Sequence, residues 1–478
     1  EIHERLVGSE MCIRDSTRSM ACKAQTSGRI YLHSGPRTEL HEIIRREYAR
    51  HQDRAVPRNT LRQAVQGMLD TFAYQNFDAA AGEYTNRCCR PPRETEMRPW
   101  RLVTEIGWTG GGVLAYPLVL CRDALGADAE APLAAAMSGE QLFDRIADAY
   151  NENSGLLNDL MAPNAAGSQV NGWWTGYGLV KDCHCAYTVG SAVHYLTKTM
   201  DYLHQNGKPC PAKWMDAAQK VLHTVMDLQR ADGAFGYTYS TQERKVLDWS
   251  GFAGCWFAPA LVYLYRLTGE ERCLHSAEKA LDYYHTFVKD LNCYGTPMDT
   301  WKAVDEEGNL AFMRGSRLLY EQTGKAEFLQ YMKDSAGYEF LWRYGYKTYP
   351  EHTPLNQGWS ACGGAVTSVS NPHIHPMGVI IDTDLRYLAR VTGDGYYASR
   401  AADSAAWMLQ CLELYPAATG YGRYGILSER WCPSDGLDVE RFSDGRPFSS
   451  WFSHNLWASA CVLEAACELL LESEHKKG

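Results

Sequence analysis

The chain has 478 residues and a formal net charge of −10 at pH 7. That length buries a large core and allows two or three domains. The acidic balance argues against nucleic acid and anionic membrane as partners, and no apolar run reaches the length of a membrane-spanning helix.

Sixteen cysteines are scattered without a C-x-x-C spacing. They read as reduced core residues rather than a disulfide framework. Cys183-His184-Cys185 matches no standard zinc pair, and no metal or cofactor is expected. With 14 Trp and 29 Tyr, many rings must be core, but aromatic faces also wall carbohydrate sites. Glu1 to Ser16, EIHERLVGSEMCIRDS, resembles translated sequencing-adapter read-through of the kind found in metagenomic gene sets, and is set aside. Localisation therefore stays open between cytoplasm and periplasm, and homo-oligomerisation is compatible with the sequence.

Residues 17–56 read as an N-terminal arm with one helix over 39–51. From residue 57 to 472 the chain alternates two kinds of helix. Amphipathic, charged segments occupy 60–77, 140–151, 212–229, 271–288, 326–342 and 396–412. Segments rich in Gly, Ala and aromatics begin near 103, 183, 249, 310, 376 and 452. A helix with one apolar stripe covers a core, and one apolar nearly all round lies inside it. Three echoes, LYRLTGEERCLHSAEKAL, LYEQTGKAEFLQYM and LARVTGDGYYASRAADSA, each join an inner-helix end to an outer-helix start through a TG turn. The glycine suits a left-handed helix cap. The predicted fold is all-α: one (α/α)6 toroid of six outer–inner pairs, with a seven-pair ring as runner-up if the arm helix finds a partner.

In such a ring the loops entering the inner helices converge on one mouth. Here those loops are long and hold most of the Gly, Trp, His and isolated acids, whereas the opposite turns are short. Long loops on one face of a rigid scaffold form binding sites. The first ends in TEIGWTGGG with Glu105. The second holds Trp173 and Trp174 in NGWWTGYG, followed by Tyr187. The third ends at Asp248-Trp249, and the fourth carries Asp299 and Trp301. The fifth is WSACGGAVTSVSNPHIHPMGVIIDTD, 359–384. Its Asn371, His373 and His375 precede a helix that Pro376 is suited to open. A helix start presents free N–H groups to an anion. The sixth supplies Arg423, Glu429, Arg430 and Trp431, and WFSHNLW opens the last inner helix with His454.

Glycoside hydrolysis needs two carboxyls, and an aromatic-lined mouth raises one of them into the acid role. Glu429 is the first candidate, with Glu105, Asp248 or Asp299 as its counterpart. Trp173, Trp174, Tyr187, Trp249, Trp301 and Asn371 are candidate sugar contacts. His373, His375, Arg423 and Arg430 are candidates to hold a substrate carboxylate, and His454 is a further candidate substrate contact.

SNPHIHPMG at 370–378, LDWSGFAGCWFAPALVYLYRLTG at 247–269 and LSERWCPSDG at 427–436 give the region from 57 to 471 a resemblance to the (α/α)6 uronic-acid-acting glycosidases. It is similar first to the exo-β-glucuronidases of glycoside hydrolase family 154, and more distantly to the unsaturated-uronyl hydrolases of families 88 and 105. The resemblance implies an enzyme removing a terminal uronic acid from a small glycan. Phe252 stands near where the catalytic Asp of the unsaturated-uronyl hydrolases would align, which favours ordinary hydrolysis over their hydration chemistry. Two rivals remain: a polyuronate lyase using Asn371, His373, His375 or Tyr424, and a non-catalytic carbohydrate-binding toroid.

Overall fold

The computed structural model describes residues 39–51, 54–78, 83–89, 98–102, 106, 111–126, 130–160, 169–174, 179–296, 302–347, 359–366, 368–369, 373–414, 425–431, 452–454 and 456–475. The chain folds as an (α/α)6 toroid. Its six inner helices are α3 (Gly111–Leu125), α5 (Ala186–Gln205), α7 (Phe257–Thr268), α9 (Glu307–Thr323), α11 (Asp382–Thr392) and α13 (Leu456–His475). The outer helices are α2 (Leu61–Thr71), α4 (Glu130–Asp148), α6 (Ala212–Asp227), α8 (Glu271–Lys289), α10 (Ala326–Trp342) and α12 (Gly395–Cys411). Each inner helix packs against the next, and α13 returns to α3, so the ring closes. A further helix, α1 (Leu40–Arg50), lies on α10. Its Tyr48 hydroxyl donates to Asp403 of α12 at 2.7 Å.

The composition of the inner helices explains their place. Along α5, buried positions run almost without a break from Ala186 to Asp201, as an all-round apolar helix requires. Gly190 lets α5 approach the entry of α7: a Cβ there would lie 2.7 Å from the Trp256 Cβ. Outer helices show one buried stripe, as in α8, whose Cys273, Ser276, Ala277, Ala280, Leu281, Tyr284 and Val288 face inward at helical spacing. The TG turns end α7, α9 and α11 with Gly269, Gly324 and Gly393 at φ 74°, 66° and 71°, the left-handed cap conformation.

Most inner helices begin later than their sequence suggests, because the entry segments form hairpins and tight turns first. Cys183–Cys185, Thr238–Ser240 and Val246–Asp248 make a three-stranded antiparallel sheet ahead of α5 and α7. Glu83–Cys89, Arg98–Leu102 and Phe452–His454 pair across the seam between α3 and α13. Another departure is at Pro376, where an α-helix is expected and a 3-10 turn over Met377–Ile381 forms instead. Arg343 donates to the Gly378 carbonyl at 2.7 Å and Arg314 to the Ile380 carbonyl at 2.9 Å. Two acceptors that an α-helix would bond internally are thereby engaged by side chains, and α11 starts only at Asp382.

The inner helices are tied to one another by ion pairs. Lys198 of α5 reaches Glu464 and Glu468 of α13 at 2.5 and 2.8 Å. The Tyr116 hydroxyl of α3 and the Thr383 hydroxyl of α11 also donate to Glu468. Arg314 of α9 binds Asp384 of α11 at 2.7 Å, and Arg266 of α7 bridges Asp201 and Glu321. All six inner helices join this base network. No described helix is long and apolar enough to cross a membrane.

Candidate active site

The mouth lies at the N-terminal ends of the inner helices. Ala365–Val366 pairs antiparallel with Ile374–His375, and Ile374 also exchanges backbone hydrogen bonds with Trp431. These pairings bring the fifth and sixth loops together. His373 and His375 have ring centroids 6.2 Å apart, and the His375 ring lies 6.0 Å from that of Trp457 at the start of α13. The Trp457 indole N–H donates to Glu429 Oε2 at 3.2 Å, and Arg430 stands 3.6 Å from Glu429 Oε1. Glu429, Arg430, His373 and His375 therefore form one cluster.

His375 rests on an acid absent from the candidates read in the sequence. Its Nε2 lies 2.5 Å from Glu306 Oε1, with both side chains fully buried. Behind them Arg343 binds Glu339 at 2.8 Å and Asp382 at 3.0 Å. Two carboxyls thus bind one guanidinium out of water, and the charge of a third, Glu306, faces it. Burial first, then the Glu339 charge, pushes Glu306 well above the carboxylate range. Burial raises Asp382 to about 7 and lowers His375 to about 3. These directions put the shared proton on Glu306, whose O–H donates to Nε2, and leave His375 neutral with its proton on Nδ1. Among the described residues neither Glu306 Oε2 nor His375 Nδ1 has a hydrogen-bond partner. His373 is also neutral, lowered by burial and then by Arg430 and His375. The histidines offer this mouth hydrogen bonds, and its positive charge comes from Arg430.

Tyr187, at the first turn of α5, has its hydroxyl 3.9 Å from the Met377 sulfur. Burial raises its phenol, as do the charge of Glu307 and a hydrogen bond to that carboxylate. Glu307 opens α9 and is half-buried, the more accessible of two adjacent acids. The signal for both was in VDEEGN, an acid pair at an inner-helix entry.

Asp248 is bound elsewhere. Lys302 lies 2.5 Å from one oxygen and the Ser250 N–H donates to the other at 2.8 Å. Burial acts to raise this carboxyl, but these bonds outweigh it and hold it below the usual range, which suits a brace rather than a proton donor. Trp173 is 2% exposed within the core, and the Arg230 guanidinium lies over the Trp249 ring at 5.1 Å. Neither makes a described contact with the histidines. The backbones of Trp174 and His454 lie in strands, with Trp174 opposite Leu179 and His454 opposite Arg87. Glu105, Asp299, Trp301, Asn371, Arg423 and Tyr424 lie outside the described residues. His184 bonds Ser154 at 2.9 Å and is lowered by burial to about 4. Among the described residues no group of three or more His, Cys, Asp or Glu is arranged to hold a metal ion.

No family model and no curated protein matches the chain. Solved structures share its fold. A family 76 glycoside hydrolase (mannosidase) from Bacteroides thetaiotaomicron is 14% identical with a TM-score of 0.54, over 87% of this chain and 99% of that one. A cellobiose 2-epimerase from Spirochaeta thermophila is 12% identical with a TM-score of 0.54, over 92% and 100%. An unsaturated glucuronyl hydrolase specific for heparin is 11% identical with a TM-score of 0.51, over 87% and 98%. At these identities the likeness establishes the (α/α)6 architecture alone.

Proposed function

We propose that the protein is a carbohydrate-active enzyme: a glycoside hydrolase that removes a terminal uronic acid, β-glucuronic acid, from a small glycan. The observation that carries this reading is the pairing at Glu429. A mostly buried carboxylate with a tryptophan N–H on one oxygen and an arginine beside the other lies next to two neutral imidazoles. Arg430 is the cation suited to a substrate carboxylate, since guanidinium binds carboxylate in a fork. Glu429 is the catalytic carboxyl, with Glu307, at the Tyr187 hydroxyl, as its counterpart. Sugar-acting enzymes on the same toroid, one of them a glucuronyl hydrolase, support the class.

Turnover of 4-nitrophenyl β-glucuronide, set against the β-glucoside, tests the reading. Wild type is expected to release nitrophenol from the glucuronide in strong preference. Glu429→Gln is expected to fold normally and lose about 10²–10⁴-fold in rate. Equal turnover of the glucoside would remove the uronate assignment, and a near-wild-type Gln variant would remove Glu429. The unprotonated state of His373 favours a second reading, a lyase in which that imidazole abstracts the C5 proton of a polyuronate. An ultraviolet-absorbing unsaturated product would decide for it.

A further inference from the structure

Away from the mouth, the inner helices enclose an open cavity of about 720 Å³. Small-molecule sites take roughly 300–1,000 Å³. All six inner helices contribute to its wall, from Leu120 of α3 to Glu472 of α13. This end is chemically unlike the mouth, because its charges are already matched. Arg266 is shared by Asp201 and Glu321, Arg317 by Glu321 and Asp384, and Lys198 by Glu464 and Glu468. A ligand with net charge would have to break one of these pairs. A hydroxyl-rich neutral ligand would not, because each hydroxyl donates to a carboxylate and accepts from a guanidinium while both keep their partners.

A second observation points the same way. Tyr263 is 5% exposed and lines this cavity. Among the described residues its hydroxyl has no hydrogen-bond partner. The ring is mostly buried while its hydroxyl is not among the buried atoms without a partner, so the hydroxyl opens on the cavity, where a ligand hydroxyl would meet it. We propose that this base cavity is a second binding site, separate from the mouth, for a neutral mono- or disaccharide, held by the paired charges and the Tyr263 hydroxyl.

Titration calorimetry with cellobiose, maltose and lactose tests it, with glucosamine as a charged counterpart. The expected result is saturable millimolar binding of at least one neutral disaccharide. Leu471→Trp fills the cavity from α13 without removing a charge and is expected to weaken binding more than 10-fold. Tyr263→Phe keeps the ring and loses the hydroxyl, so a loss of several-fold is expected even if the tryptophan variant folds poorly. Glu429→Gln, at the other end of the ring, is expected to leave this binding unchanged. No neutral sugar binding at millimolar concentration, tighter binding of glucosamine, or neutral-sugar binding untouched by both cavity variants would each overturn the proposal.

Discussion

Both ends of the ring bury ionisable groups, and they do so in opposite ways. At the base, Lys198, Arg266, Arg314 and Arg317 each meet carboxylates within hydrogen-bond or ion-pair distance. At the mouth, Glu306, Glu339 and Asp382 crowd one Arg343, and among the described residues polar atoms of Glu306, His375 and Asp382 have no hydrogen-bond partner. A matched network fixes which helices meet, although its net stabilisation is small against an apolar alternative. An unmatched one shifts protonation states, as sites of chemistry require. The base therefore reads as the clasp of the toroid and the mouth as its working end, on one set of six helices.

The comparison breaks most visibly if the base charges can be removed without penalty. Lys198→Met takes the shared cation from Glu464 and Glu468 and leaves buried acid uncompensated. The expected loss is about 3–5 kcal/mol of unfolding free energy, read by urea denaturation. Glu429→Gln, at a pair 3.6 Å apart, keeps the size of the side chain and an acceptor for the Trp457 N–H, and is expected to cost less stability than Lys198→Met. Equal losses would mean that the two ends are not divided as described.

The pH dependence of stability separates two carboxyls, one at each end, whose shifts have opposite sign. Asp382 is raised to about 7 from 3.8. The folded state then holds its proton more tightly than the unfolded state, so this contribution is present below the unfolded value and is lost as pH rises to about 7. Glu468 is lowered to about 2 from 4.5; burial opposes that shift, and Lys198 and Arg314 outweigh it. Its contribution is present above the unfolded value and is lost as pH falls towards 2. Asp382→Asn is expected to flatten the decline between pH 4 and 7 by up to ~4 kcal/mol. Glu468→Gln is expected to flatten only the acid limb. His375, lowered to about 3, acts against Asp382: its contribution is full above the unfolded value near 6.5 and is lost on acidification. Denaturation curves across pH for the single variants separate the two.

The difference between the ends also explains what the sequence made legible. Helix alternation and the TG turns are local patterns, so the six pairs and their glycine caps can be read directly. Glu429, Arg430, His373 and His375 were legible because unusual polar residues fall in long loops. Glu306 was not, although VDEEGN contains it. Its significance comes from His375, 69 residues on, and from Arg343 at the end of α10. Trp173, in a segment bounded by glycines, has the sequence character of a sugar contact. In the fold its strand pairs with Leu179–Lys181 and the ring enters the core. Burial set by distant partners is the component that residue type and spacing do not carry.

The smallest expected effect lies in the short turns at the base. Gly269 ends α7 at φ 74°, with nothing within 4 Å of where a Cβ would stand. Ala there keeps all packing and meets only the backbone strain of the left-handed region, for an expected loss of about 1 kcal/mol. Gly190 is the comparator near the mouth end. Its φ is not in the left-handed region, but an added Cβ would meet the Trp256 Cβ at 2.7 Å. Ala at 190 is therefore expected to lose about 1–3 kcal/mol through displaced helices. It should also disturb the loop ends that α5 and α7 support, whereas Gly269→Ala should leave turnover at the mouth unchanged. Thermal unfolding and glucuronide turnover measured on the two variants together would show this. If Gly269→Ala lowered turnover as much as Gly190→Ala, the base turns would be coupled to the mouth, and the division of labour along the axis would be wrong.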